Sequence, residues 1–363
     1  MAPEIRRVLV RAPNWLGDTV MATPAVRVLR RCLPEAHLTV LAPPAFQGFW
    51  SGIEGVQAVR VLDRKGAHRG WSGLRDLARE LKREDYDASL LLTESFSSAY
   101  ILWAAGIPRR LGIAAQGRSF LLKPALKNPC PRRRHFVTET LTLLRDGWGL
   151  PSFARPVALE FPLVAQGKRE ADHLLGKRRG AYVAFIPGAT YGPTKRWPVE
   201  HWLELRDRIL KDTRCSIVVV GSSAEAPALE PLGSRAPGLK GRLVMAAGKT
   251  SVLGLGAVLS RCRVAVANDT GPLHVAAAVG TPVVGLYGST SPVWTRPLGK
   301  GHQVLYHRVP CSPCFLKECP IDLRCMTSLT AAEAWTSLRP LLRGAKKAVR
   351  PERLDAEIPC STI

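Results

Sequence analysis

The segment Asn268-Asp269-Thr270-Gly271-Pro272-Leu273-His274 constrains the fold more tightly than any other stretch of the chain. It follows Val264-Ala265-Val266-Ala267, a short apolar run that reads as a buried strand. It precedes Val275-Ala276-Ala277-Ala278-Val279-Gly280 and then Val283-Val284-Gly285-Leu286-Tyr287, the next strand. The middle is therefore a polar turn opening a helix, with Pro272 at the first helical position and Gly280 at its end. Such a turn offers backbone N–H groups at the positive end of a helix dipole, a setting that favours an anion. Thr270 adds a hydroxyl, and Gly271 lets a ligand approach the backbone closely.

The same alternation runs through the rest of the chain. Arg7–Arg11, Leu38–Leu41, Val56–Leu62 and Ala88–Leu92 read as strands, with helices at Thr19–Leu29 and Leu74–Arg83. Gln116–Pro131 reads as an irregular basic loop, and Phe136–Trp148 regains helical periodicity. Pro151–Val164 carries prolines and reads as a domain edge. A second series begins at Tyr182–Ile186 and continues through Ile217–Val220, Leu243, Val264–Ala267 and Val283–Tyr287. Alternating strands and helices of this kind make parallel sheets covered on both faces. At 363 residues the expectation is two α/β domains, 1–165 and 166–340, with a basic polar tail over 341–363. Both domains would aim their strand-end loops into a cleft between them.

Three further motifs could carry chemistry. Pro187-Gly188-Ala189-Thr190-Tyr191-Gly192-Pro193-Thr194-Lys195-Arg196-Trp197-Pro198 follows a strand and reads as a second anion cradle. In it Thr190 and Thr194 offer hydroxyls, and Lys195 offers a point charge for a leaving phosphate. Glu225, just past a strand end, suits either a ribose contact or the cap of the next helix. Asp18, at the end of the first strand, is a general base or a helix cap, and spacing alone favours the cap. His274 reads equally as a core histidine or a ligand contact. Gly254-Leu255-Gly256-Ala257-Val258-Leu259 lacks the sixth-position residue of a dinucleotide fingerprint and lies inside a helical pattern, so that reading is rejected.

The charge narrows the partners. The chain has 52 Lys+Arg against 29 Asp+Glu, a net of +23, which attracts polyanions and anionic membrane surfaces. A host bias toward arginine would raise the charge equally, with no functional meaning. Basic groups occur at Arg109-Arg110, Arg132-Arg133-Arg134, Lys177-Arg178-Arg179 and Lys346-Lys347. No zinc-finger spacing, recognition helix or aromatic RNA-binding motif accompanies them, so nucleic acid is not expected as a partner. No signal-peptide core or membrane-length apolar run is present, and a soluble cytoplasmic protein is expected. Cys311, Cys314, Cys319 and Cys325 are spaced C-x2-C-x4-C-x5-C, a pattern that fits either a metal site or free thiols in a loop.

Taken together, these motifs resemble the ADP-heptose:lipopolysaccharide heptosyltransferases of glycosyltransferase family 9. The resemblance runs from about Val8 to Leu338. It rests on Arg11-Ala12-Pro13-Asn14-Trp15-Leu16-Gly17-Asp18, the 187–198 loop, the 268–274 turn and Leu286-Tyr287-Gly288-Ser289-Thr290-Ser291-Pro292. It is closest to the enzymes that add the second heptose, though the motifs separate these less well from those adding the first or third. It implies a GT-B architecture, two Rossmann-like domains facing a central cleft, with ADP-heptose held by the C-terminal one. It implies inverting transfer to an inner-core lipopolysaccharide acceptor, no cofactor and no metal, and a place at the cytoplasmic face of the inner membrane. By position, Asp18 matches the general base and Lys195 the residue that stabilises departing ADP. Thr190, Glu225, Asp269, Thr270, Gly271 and His274 match donor-binding positions. The rivals are a family 9 transferase for another sugar or acceptor, and a non-catalytic protein that binds anionic polymers or membrane surfaces.

Overall fold

The computed structural model describes residues 5–128, 131–151, 157–176, 181–233, 241–343, 349–352 and 354. The chain divides into two compact units, with the boundary between Glu160 and Phe161.

The first unit runs β1 (Arg7–Arg11), α1 (Leu16–Met21), α2 (Thr23–Cys32), β2 (His37–Ala42), α3 (Gln47–Ser51), β3 (Ala58–Val61) and α4 (Gly70–Lys82). It continues with β4 (Ala88–Leu91), α5 (Phe96–Ala104), β5 (Arg109–Ile113), β6 (Ala125–Leu126) and α6 (Phe136–Trp148). Its strands form one parallel sheet in the order β3-β2-β1-β4-β5-β6. The central strands β1 and β4 are almost wholly buried, as near-continuous apolar runs require when helices cover both faces. Leu9, Leu41, Leu74, Leu77, Leu81 and Leu102 lie in a core on one side of that sheet.

The second unit repeats this plan with α7 (Ala165–Leu175), β7 (Tyr182–Ile186), α8 (Val199–Asp212), β8 (Ser216–Val219), α9 (Ala226–Gly233), β9 (Leu243–Met245) and α10 (Val252–Ser260). Then come β10 (Cys262–Asn268), α11 (Gly271–Ala278), β11 (Val283–Tyr287), α12 (Pro292–Thr295), β12 (Gln303–Tyr306), α13 (Arg324–Thr327) and α14 (Ala331–Arg343). The sheet order is β12-β11-β10-β7-β8-β9, again all parallel. In both units the chain winds one way from the first strand and then returns to its other side. The reversal falls between β1 and β4, and between β7 and β10. Ligands of doubly wound sheets sit beyond the strand carboxyl ends at such a reversal.

Several elements depart from the sequence expectations. The helix expected over Thr19–Leu29 is two helices, broken at Ala22. Pro24, in the first turn of α2, has no N–H to continue an upstream ladder, and its ring would clash with the carbonyl four residues back. The segment expected to be an irregular loop contains β6. α5, β5 and β12 were not anticipated at all. Pro272 occupies the second helical position of α11, after Gly271. The glycines of the rejected dinucleotide pattern lie within α10, which packs closely on α7. A Cβ on Gly256 would fall 2.0 Å from Phe161, and one on Gly254 2.0 Å from Glu170.

The basic polar tail is anchored where it is described. α14 continues to Arg343, Arg350 bridges Lys300, and the buried Glu352 carboxylate holds Arg296 and the Gly299 amide. The rest of that tail, and the Lys177-Arg178-Arg179 and Lys346-Lys347 groups, lie outside the described residues. Among the described residues, no helix is long and apolar enough to cross a membrane.

Candidate active site

The loop after β7 and the turn after β10 meet at the reversal point of the second sheet. The joint is Asn268, the fully buried last residue of β10. Its side-chain amide donates to the Pro187 carbonyl at 2.6 Å, while its Oδ1 accepts from the Trp197 amide at 3.3 Å. Both ends of the glycine-rich loop are thereby fastened to the root of α11.

Lys195 and Asp269 complete the junction. Lys195 Nζ lies 2.7 Å from Asp269 Oδ2 and 3.3 Å from the Asp269 carbonyl. The lysine side chain is 14% exposed and the aspartate 3%. An ion pair this buried holds only when its geometry and added hydrogen bonds offset desolvation. The added bond comes from Thr290, whose hydroxyl donates to the same Oδ2 at 2.6 Å. Tyr191 presents its ring face 5.0 Å from Lys195 Nζ, a cation–π contact. Tyr287, buried nearby, donates to the Thr295 carbonyl at 2.6 Å. Burial, with Asp269 adding to it, holds its phenol well above the usual range.

Directly beyond this cluster α11 begins. Thr270 is its N-cap, with no side-chain capping bond, so its hydroxyl is not committed to the helix. First-turn amides have no acceptor within a helix, and the dipole places positive potential there. His274 is buried, in the first turn beneath that face. Thr190 is exposed on the facing loop. Thr194, expected to line the cradle, instead donates to the Leu316 carbonyl at 2.6 Å.

Glu225 does the work of a cap. Its Oε2 accepts from the Ser222 amide and hydroxyl, both at 2.8 Å, just ahead of α9. The same carboxylate also lies against Gly188, where an added Cβ would fall 2.3 Å from Glu225 Oε1. The cap thus stands beside the glycine-rich loop.

The cysteine segment braces this loop from outside. Tyr191 donates to the Phe315 carbonyl at 2.6 Å, and the Phe315 amide donates to Ser289 at 2.8 Å. The backbone of Lys317 leaves no room for a Cβ at Gly192. Burial pushes the Cys325 thiol up to about 11, with Cys314, Cys311 and Cys319 adding to it. Among the described residues, no group of three or more His, Cys, Asp or Glu side chains is arranged to hold a metal.

In the first unit the loop after β1 is pinned by Arg11, which is 2% exposed. Its guanidinium donates to Asn14 Oδ1 at 2.6 Å and to the Ala12 carbonyl. Burial lowers its pKa to about 10, with Arg64 adding to the effect. Trp15 is the N-cap of α1, so Asp18 is not the cap that spacing favoured. It is the third residue of the helix, half-buried in the first turn. Beyond β4, β5 and β6 lies a cavity of about 330 Å³, lined in part by Thr93, Lys127, Arg134, Glu139 and Arg145.

The sequence profile described as glycosyltransferase family 9 (heptosyltransferase) matches residues 74–324, more than half of the chain. The chain belongs to glycosyltransferase family 9. Lipopolysaccharide heptosyltransferase 2 of Salmonella typhimurium is 30% identical over 322 residues, covering 84% of this chain and 90% of that one. The solved structure of ADP-heptose lipopolysaccharide heptosyltransferase II from E. coli superposes with a TM-score of 0.79 at 25% identity, covering 93% and 98%. A family 9 glycosyltransferase of Veillonella parvula gives 0.83 at 21% identity, covering 94% and 98%, a likeness of fold. This family 9 member is a glycosyltransferase with the GT-B class of fold.

Sequence reasoning named Lys195, Asp269, Thr270 and Gly271 as candidate site residues, and the structure brings them together at one reversal point. It gave no role to Asn268 or Thr290, although both stand inside the quoted motifs. A polar residue ending the apolar run Val264–Ala267 was the available signal for Asn268. Thr290 had no signal of its own, because its partner is set by tertiary packing.

Proposed function

We propose that this glycosyltransferase moves heptose from ADP-heptose, with inversion, onto the first heptose of the lipopolysaccharide inner core. The observation that carries this reading is the Lys195–Asp269–Thr290 cluster at the head of α11, in a chain that aligns with heptosyltransferase 2 over most of its length. The second unit is the donor-binding one. Thr270, Gly271 and the first-turn amides of α11 hold the diphosphate, with Thr190 reaching it from the facing loop. Lys195 neutralises charge on the departing ADP. Asp269 aims Lys195 and accepts from a donor hydroxyl, His274 supports the turn from below, and Glu225 contacts the ribose.

The first unit takes the acceptor. Asp18 removes the proton from the attacking hydroxyl. The acceptor is anchored in a bilayer, so the enzyme works in peripheral contact with the cytoplasmic face of an anionic inner membrane. No metal or other cofactor takes part.

The test is transfer from ADP-heptose to purified acceptors bearing zero, one or two heptoses, read by product mass. Extension of the one-heptose acceptor alone is expected. Extension of another acceptor would move the enzyme to the first or third addition. No transfer to any of them would end the reading.

A further inference from the structure

α5 is apolar all round: Phe96-Ser97-Ser98-Ala99-Tyr100-Ile101-Leu102-Trp103-Ala104 carries no charge. A helix of that kind is ordinarily covered on every side. Here Ser98, Ala99, Ile101 and Leu102 face the core, while Phe96, Tyr100 and Trp103 share the opposite face. Two other elements extend that face. Trp71, at the start of α4, contacts Tyr100 at 5.2 Å and Phe96 at 6.4 Å between ring centroids. Phe120 contacts Phe96 at 6.2 Å, and Tyr100 contacts Trp103 at 6.0 Å. The result is an unbroken chain of five rings. Trp71 is 54% exposed, Trp103 49% and Phe120 72%. Exposed contiguous apolar patches mark interaction surfaces.

The patch is held in place before any partner arrives. Arg118, fully buried, donates to the Ser95 carbonyl at 3.1 Å and to Ile113 at 2.9 Å. It thereby locks the Phe120 turn to the start of α5. Ser95 caps that helix by accepting from the Ser98 amide.

The surrounding charge is mainly positive, with exposed Glu94 ahead of α5 the acid on that side. From Phe96 to Thr138 there is no Asp or Glu, against eight Lys or Arg. Exposed Arg64, Lys65 and Arg69 lead into Trp71, and exposed Lys123 follows Phe120. Asp63, the acid of that leading loop, is turned onto the Lys65 and Gly66 amides. A second copy of this chain would bring the same positive rim and be repelled. Trp and Tyr rings ringed by Lys and Arg suit the headgroup region of a bilayer, where ring bodies enter and cations meet phosphate.

We propose that the chain of rings Phe120–Phe96–Trp71–Tyr100–Trp103, with its basic rim, docks the first unit onto an anionic phospholipid bilayer. This rests on the reading that the acceptor is membrane-anchored, and it names the surface that reaches it.

The test is co-sedimentation of the full chain with phosphatidylglycerol-containing vesicles and with phosphatidylcholine vesicles. The wild type should bind the first, with weakening in high salt, and bind the second far less. The variant Trp71→Ser, Trp103→Ser, Phe120→Ser should lose binding by ~10-fold or more with an unchanged melting temperature, since all three rings are exposed. Brominated lipid should quench wild-type tryptophan fluorescence and spare that of the variant. Undiminished vesicle binding by the variant would overturn the proposal. So would a wild-type dimer that the variant abolishes, with no vesicle binding by either. Transfer to a delipidated, water-soluble acceptor is measured in parallel. The variant should retain it while losing transfer to acceptor embedded in vesicles. Absence of soluble transfer in the wild type would defeat the proposed function and leave the vesicle result standing.

Discussion

Lys195 and Asp269 stand 74 positions apart in the sequence, yet their 2.7 Å contact gives each its surroundings. The aspartate fixes where the ammonium points, and Thr290 fixes the aspartate. Lys195→Ala should therefore lower kcat by ~10²-fold, the order expected when a stabiliser of developing charge is removed. Thr290→Val should cost less, ~10-fold, because Asp269 Oδ2 keeps one of its two donors. The two losses should not multiply in the double variant, since both act through one carboxylate. Steady-state kinetics of the two single variants and the double variant check this, and fully multiplicative losses would separate the residues. The place of Lys195 and Asp269 was legible in sequence, because strand–turn–helix punctuation marks the polar turns at strand ends. The pairings were not legible, because nothing in the local pattern of Lys195, Asn268 or Thr290 states which side chain each one meets.

Helices and strands show the same division. The central strands were readable as apolar runs, because burial on both faces leaves few polar positions. β12 was not, since Gln303 and Val304 are exposed at the sheet edge and break the pattern. β6 is two residues long and held mainly by its neighbour β5. α5 escaped because a helix apolar on all sides has no periodicity to detect. The packing of α10 against Phe161, just ahead of α7, gives one expected outcome. Gly256→Ala would place a Cβ against Phe161 and should destabilise the fold by ~1–3 kcal/mol, checked by denaturant unfolding. β11 gives another. His302 Nδ1 accepts from the Val283 amide at 3.1 Å, and burial lowers its pKa from the ordinary 6.5 to about 4. The unfolded chain therefore binds this proton more readily than the folded one. This group's contribution is complete above pH 6.5 and declines as pH falls toward 4. Thermal melts over that range should show the decline, and His302→Gln should flatten it.

Over the whole molecule, the two units repeat one winding plan, and the proposed chemistry divides between them. Asp18 belongs to the first unit, whereas the Lys195 cluster belongs to the second. Asp18→Asn should then lower turnover by ~10²-fold or more while leaving the dissociation constant for ADP-heptose within about twofold. Calorimetric titration alongside kinetics checks both halves, and near-normal turnover would remove Asp18 from the base role. The doubled α/β plan was readable from the repeated alternation of strand and helix. The anchoring of the tail was not, because Arg350 and Glu352 look like any solvated charges until their partners Lys300 and Arg296 are known.

The side chain of Asn268 grips Pro187 and Trp197 at once. Segments some eighty positions apart are thus held as one part. Both partners are backbone groups, so a chimera that imports residues 187–198 from a relative keeps these two bonds as long as Asn268 stays. Replacing Asn268 itself by leucine should therefore loosen the loop more than exchanging the loop does, a difference that thermal melts of the two variants check.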